Sequence, residues 1–293
     1  MTILVFDSGI GGLSVLREAR MVMHAHRFVY VGDDAGFPYG DWDGAALTER
    51  MVGLFETLIE QFQPRLAIVA CNTASTLIMP ALRSRFDLPF VGIVPAIKPA
   101  AERTASGLIT VLATPGTVSR LYTRELVRKF ASHRRVNMVG ATRLARLAED
   151  HMQGKPIDTG VLEAEIAPCF VEADGRRTDI IALGCTHYPF LVNEMRKYAP
   201  WPVDWLDPAE AVARQASAVL SQIDKDIARR VDGSAQPQAD LAIMTSQSPS
   251  AAIVRLLGGL GLQLRSQAFP SLMSAANSNC CTESGRACST LRK

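Results

Sequence analysis

Leu66-Ala67-Ile68-Val69-Ala70-Cys71-Asn72-Thr73-Ala74 and Ile180-Ile181-Ala182-Leu183-Gly184-Cys185-Thr186-His187-Tyr188 repeat one chemical pattern. In each, a short apolar run stops at a cysteine, and small hydroxyl or amide side chains follow. Such runs read as buried parallel strands that end in a loop. In open α/β sheets, ligands sit beyond the carboxyl ends of such strands. Two thiols delivered to two strand ends predict one cleft with a thiol on each wall. That arrangement suits taking a proton off one face of a carbon and adding one to the other.

Outward from these stretches, strand-like and helix-like runs alternate. Strands are expected at 2–6, 28–31, 66–70 and 90–94, then at 108–112, 136–139, 180–183 and 203–206, and last at 241–244. Leu47, Met51, Leu54, Phe55, Leu58, Ile59 and Phe62 recur at helical spacing, as do Val118, Leu121, Tyr122, Leu126 and Phe130. Both stripes read as core packing. The alternation argues for α/β layers with mostly parallel sheets. The two cysteine motifs lie about one small domain apart. Boundaries are therefore expected near Pro95 and near Asp207-Pro208. The segment after Pro208 either forms its own unit or returns to the first domain. The division adopted is 1–95 plus 208–270, then 96–207, with 271–293 as a disordered tail rich in Ser, Cys and charge.

The chain has 293 residues, 48% hydrophobic and 20% charged, which is ordinary globular composition with room for two domains. The formal net charge is +2 and no basic stripe with interleaved aromatics occurs, so nucleic-acid binding is not indicated. The apolar runs are too short to span a bilayer. The opening Met1-Thr2-Ile3-Leu4-Val5-Phe6-Asp7 reads as a strand rather than a signal peptide, which points to the cytoplasm. In a reducing compartment the six cysteines imply no disulfides. Cys169, in an apolar stretch, reads as a small buried hydrophobe. Cys280, Cys281 and Cys288 lack a fourth ligand for structural zinc.

Asp7-Ser8-Gly9-Ile10-Gly11-Gly12 follows the first strand and precedes a helix. A dinucleotide fingerprint would need glycine where Ser14 stands, although Asp33 or Asp34 could serve as its ribose acid. The glycines read as a tight turn, and Asp7 and Ser8 as polar groups at the cleft mouth. Exposed N–H groups there suit an anion such as a carboxylate. Gly36-Phe37-Pro38-Tyr39-Gly40 is a turn after the second strand, offering Tyr39 and the Gly40 backbone to a ligand. Cys71 is followed by Asn72 and Thr73, and a helix start near Thr73 is expected to lower its thiol pKa below about 8.5. Cys185 has His187 two residues on, able to hold or accept the thiol proton. Cys71, Cys185 and His187 could instead ligate catalytic zinc with a water. Their spacing is not a typical zinc pattern, so paired thiols are preferred and no metal is expected. Lys98 is the only lysine just past a strand end, without a phosphate cradle for pyridoxal chemistry.

Taken together, these motifs resemble the glutamate racemase family. The matching pieces are Phe6-Asp7-Ser8-Gly9-Ile10-Gly11-Gly12-Leu13-Ser14-Val15, Pro38-Tyr39-Gly40 and Ala70-Cys71-Asn72-Thr73-Ala74-Ser75. Ala113-Thr114-Pro115-Gly116-Thr117-Val118, Gly184-Cys185-Thr186-His187-Tyr188-Pro189 and Asp207-Pro208-Ala209-Glu210-Ala211-Val212 complete the set. Order and spacing agree from residue 3 to about residue 265. The resemblance implies two similar open α/β domains facing across a central cleft, working without a cofactor on glutamate to supply D-glutamate for peptidoglycan. It implies Cys185 as the group that removes the α-proton of L-glutamate and Cys71 as the one acting on the D-isomer. Asp7 and His187 match the groups that assist the thiols. Ser8, Tyr39, Gly40, Asn72, Thr73, Thr114, Thr117 and Thr186 match substrate contacts. Glu149 falls where the family often has a glutamate, although Ala141-Thr142-Arg143-Leu144-Ala145-Arg146 departs from the usual pattern. A homodimer is admitted as a partner state.

Two other readings stay open at the level of sequence. One is a racemase of aspartate or a related acidic amino acid, since the motifs cannot weigh one methylene. The other is a non-catalytic ligand-binding protein on the same scaffold.

Overall fold

The computed structural model describes residues 1–227 and 239–269. Strands β1 (Thr2–Asp7), β2 (Arg27–Gly32), β3 (Leu66–Val69) and β4 (Phe90–Gly92) come first along the chain. Next are β5 (Leu108–Ala113), β6 (Arg135–Gly140), the short β7 (Glu172–Ala173) and β8 (Arg176–Arg177), β9 (Ile180–Gly184) and β10 (Asp204–Leu206). β11 (Leu241–Met244) and β12 (Gln263–Leu264) are last. They form a six-stranded sheet in the order β12-β11-β2-β1-β3-β4, a four-stranded sheet in the order β10-β9-β5-β6, and a β7-β8 hairpin. All pairings in the two larger sheets are parallel.

The expected α/β class with parallel sheets is what is found. The run β2-β1-β3-β4 has the same order as β6-β5-β9-β10, so the two sheets share one topology. β11 and β12 extend the first sheet beyond β2. The chain passes to the second sheet after β4, where Ile97, Ala100 and Ala101 pack against Ile109, Val111 and Ala182. It returns after β10, where Ala213, Ala216 and Leu220 pack against Ile3 and Val5.

Strand alternation explains the layers. In β1, Leu4 and Phe6 face Leu47, Met51, Leu54, Phe55 and Leu58 of the helix Gly44–Phe62. Ile3 and Val5 face the other way, against Val15, Leu16 and Ala19 of the helix Leu13–Val22. A strand buried on both faces must be apolar throughout, which is why these runs lack a polar face. Each such side chain stabilises the fold by roughly 1.5–3 kcal/mol relative to exposure.

One predicted stripe differs. Leu121 and Tyr122 are exposed rather than in the core. Arg120 takes an extended backbone and splits the segment into helices Pro115–Ser119 and Leu121–Phe130. The break rotates the second piece, and Thr123 is its only fully buried residue. The tail from 271 onward, with Cys280, Cys281 and Cys288, lies outside the described residues. No described helix is long and apolar enough to cross a membrane.

Candidate active site

Both sheets reverse their direction of growth at the first strand, and the first sheet reverses again when β11 is added beside β2. In the first, the chain adds β2 on one side of β1 and β3 on the other; in the second, β6 and β9 flank β5 in the same way. Loops leaving the carboxyl ends of strands at such a reversal diverge and leave a crevice. Asp7 ends β1 and Cys71 lies just past β3, while Thr114 follows β5 and Cys185 follows β9. The two crevices meet in one partly open space of about 20 Å³.

The first sheet contributes Ser8, Tyr39, Gly40, Cys71, Asn72 and Thr73 to the walls of this space. The second contributes Thr114, Cys185, Thr186 and His187. Phe37, Pro38 and Ala145 complete the lining. Asp7, Thr117 and Glu149 stand one layer behind, each bonded to a residue of the wall. A cavity needs roughly 10–15 Å³ of such space to hold one water. The space lined by both thiols therefore holds little more than water as the walls stand.

Cys71 is the N-cap residue of the helix Asn72–Arg85, and its thiol donates to Ser8 Oγ at 3.7 Å. Burial pushes this thiol well above its ordinary pKa, and the Asp7 charge adds to the rise. A bond from the Ala74 backbone and one from Ser8 oppose it without prevailing. The expected lowering by the helix start is thus overturned, because desolvation of a buried sulfur outweighs one helix terminus. The charge of Cys185 is felt at Cys71, which places the two sulfurs in one electrostatic neighbourhood.

Cys185 Sγ lies 3.7 Å from His187 Nδ1, and His187 Nε2 lies 2.9 Å from Glu149 Oε1. Burial works to neutralise the imidazolium. Hydrogen bonds to Cys185 and Glu149, with the charges of Cys185 and Asp7, win and hold His187 well above its usual pKa. Asp7 is fully buried, and burial raises its carboxyl pKa against the His187 charge and bonds from Gly12, Gly9 and Thr186. Gly9 N–H donates to Asp7 Oδ2 at 3.0 Å and the Thr186 hydroxyl to Oδ1 at 3.1 Å.

Asn72 is buried, and neither its amide oxygen nor its amide nitrogen has a partner. An unpaired buried amide costs about 1–3 kcal/mol, so a group that completes it binds there favourably. Thr73 Oγ1 reaches across the cleft to Thr114 Oγ1 at 3.0 Å and to Thr117 Oγ1 at 3.4 Å. Tyr39 lines the space, but its hydroxyl is spent on Asp33. Asp33 also takes Arg50 in a bidentate pair at 2.7 and 2.6 Å, and accepts from the Thr245 hydroxyl. The carboxylate considered for a ribose is therefore a structural anchor.

The glycines of the first loop make the expected turn, in which Leu13 N–H donates to the Ile10 carbonyl at 3.1 Å, and they have a second role. Gly9 and Gly11 do not have the positive φ that would demand glycine. A Cβ on Gly11 would sit 2.5 Å from His187 Nδ1 and 2.6 Å from Thr186 Oγ1, and one on Gly9 would strike Glu149. Their bareness lets the second sheet's loops close onto the first. Ile10 N–H then donates to Glu149 Oε1 at 2.8 Å, so this one oxygen joins His187 to the opposite wall. Lys98 is exposed on the helix Ile97–Arg103, 3.8 Å from Glu102. Among the described residues no three His, Cys, Asp or Glu side chains are grouped to hold a metal.

The sequence matches the Asp/Glu/hydantoin racemase family over residues 15–216. It is 58% identical over 262 residues to glutamate racemase of Brucella canis, covering 89% of this chain and 92% of that one. Among solved structures it is similar to Escherichia coli glutamate racemase in complex with L-glutamate and the activator UDP-MurNAc-Ala. That likeness has 37% identity and a TM-score of 0.81, and covers 91% of this chain and 98% of the other. Glutamate racemase from Aquifex pyrophilus follows at 27% identity and a TM-score of 0.67, covering 92% and 98%. By sequence and by fold, the chain belongs to the Asp/Glu/hydantoin racemase family.

Proposed function

We propose that the protein interconverts L- and D-glutamate, without a cofactor, by proton transfer at two cysteines. The observation that carries this reading is the pair of buried thiols from two equivalent strand ends, lining one space beside the unpartnered Asn72 amide. The named relatives support glutamate over aspartate as the substrate. D-glutamate for peptidoglycan, made in the cytoplasm, is the destination that fits. We also take 1–95 with 208–270 as one domain and 96–207 as the other, supported by the place of β11 and β12 in the first sheet.

Racemisation needs one sulfur that carries a proton and one that does not, on opposite faces of Cα. Cys71 is the protonated member at rest, held so by burial and by Asp7. Cys185 removes the α-proton of L-glutamate, with the His187 imidazolium countering the sulfur charge. Cys71 then delivers its proton to the other face, and the roles exchange for the D-isomer. Positioning makes both transfers effectively intramolecular. Ser8, Asn72, Thr73 and Thr114 offer donors to the substrate carboxylates, Thr186 lines the same space with its hydroxyl held by Asp7, and the Tyr39-Gly40 turn shapes the wall. Charge building on the α-carboxylate is stabilised by those fixed donors in a water-poor site. Thr117 holds Thr73 and Thr114 from behind, and Glu149 holds His187.

The test is a circular-dichroism assay of L-glutamate with purified protein and nothing added. Decay of the signal to zero is expected, with Cys71→Ala and Cys185→Ala both folded and inactive. A flat signal from the native chain, or full activity in either variant, removes the reading.

A further inference from the structure

Phe37 sits in residues 33–43, which follow β2 of the first sheet, yet its ring does not stay with that wall. It packs against the second sheet's apolar cluster, which holds Leu144, Leu147 and Tyr188. Its centroid is 5.3 Å from that of the His187 ring, at an interplanar angle of 46°. The Arg146 guanidinium lies 5.5 Å from the same centroid.

The imidazole has two polar partners, Cys185 at Nδ1 and Glu149 at Nε2. Those contacts fix the ends of the ring and leave its tilt to whatever packs on it. The charged and titratable groups facing His187 are Asp7 from β1, Glu149 from the helix Leu144–Met152 and Cys185 from the loop after β9. Arg146 stands beyond the phenyl ring. Phe37 is thus the apolar ring contact from the opposite wall, and His187 is 2% exposed.

We propose that Phe37 is a positioning residue for His187: crossing from the wall that carries Cys71, its ring sets the tilt of the imidazole between Glu149 and Cys185 and keeps water from it. The inference rests on the reading of Cys185 and His187 given above. It carries an asymmetry. Cys71 has Ser8 and Asp7 on its own wall, whereas the Cys185 side is complete only when the first wall has delivered Phe37.

The experiment uses the full chain with Phe37→Leu, which keeps apolar bulk and loses the flat ring, and Phe37→Tyr, which keeps the ring. Primary isotope effects are measured with L-[2-²H]- and D-[2-²H]glutamate. Mispositioning of one base slows the transfer at that sulfur by about tenfold. In Phe37→Leu the isotope effect is expected to rise with the L-isomer and fall with the D-isomer, with Phe37→Tyr close to native. A merely structural loss would leave the two effects unchanged or move them together, and that result overturns the proposal. A second readout needs no turnover: the His187 ring N–H proton resonance, identified by its absence in His187→Gln. It is expected to be protected in the native chain and lost to solvent exchange in Phe37→Leu. Loss of the resonance in a chain that proves inactive on glutamate supports the role of the ring and sinks the racemase reading alone. Retention of it in Phe37→Leu overturns the role of Phe37, whatever the activity. Should Phe37→Leu not fold, Phe37→Met takes the same measurements.

Discussion

Asn72 carries the sharpest consequence for a single side chain. Its amide is buried and unsatisfied, and a carboxylate in the space would complete it. A hydrogen bond to a charged group contributes about 1.5–3 kcal/mol, so Asn72→Ala should lower kcat/KM for glutamate by roughly 10- to 150-fold. Steady-state kinetics check this, and an unchanged value would place the substrate elsewhere. His187 gives a pH dependence whose sign is fixed. Its pKa in the fold lies well above 6.5, so the folded chain binds the extra proton more tightly than the unfolded one. The stability this supplies is complete below the unfolded value and is lost as pH rises through the folded one. Thermal midpoints should fall with pH above neutrality, and His187→Gln should flatten that slope. Arg50→Met tests the anchor behind Tyr39. It leaves the buried Asp33 carboxylate without its cation, which typically costs about 3–5 kcal/mol in denaturant unfolding.

At the scale of elements, the loop 8–12 between β1 and its helix decides how closely the walls meet. Gly11→Ala places a methyl 2.5 Å from His187 Nδ1, so the walls cannot close as they do here. The variant should fold normally, lose most activity, and expose Cys71 to alkylation faster than the native chain, read by peptide mass mapping. Slower alkylation or native activity would show that closure does not depend on this loop. The elements themselves were largely legible in the sequence. All the expected strands are present; β1, β3, β5, β9 and β11 are buried on both faces and so are written as apolar runs, whereas β6 and β10 are partly exposed and carry polar residues. β7, β8 and β12 escaped notice because they are two-residue, largely exposed pairings with no such run. The helix stripe through Leu121 and Tyr122 misled because one extended residue, Arg120, resets the helical phase.

Across the whole molecule, the two thiols could be read from the chain because each stands at the end of its own strand. Partners across the cleft could not. Glu149 meets Ile10, and Phe37 meets His187, only where the two sheets face one another. The size of the shared space belongs to this scale as well: at about 20 Å³ it admits glutamate only if the two walls part. Thr73 and Thr114, whose hydroxyls are 3.0 Å apart across the cleft, offer a place to lock it. Oxidised Thr73→Cys with Thr114→Cys should be inactive, and reduction should restore it only to the lowered level of a chain without those two hydroxyl donors, while the native chain regains full activity after the same cycle of oxidation and reduction. The central claim is that one sulfur takes the α-proton and the other returns a different one. Its most direct measurement is the first turnover of L-glutamate in deuterated water without added cofactor. The two-thiol account predicts D-glutamate bearing deuterium at Cα, whereas D-glutamate retaining its original protium would contradict it.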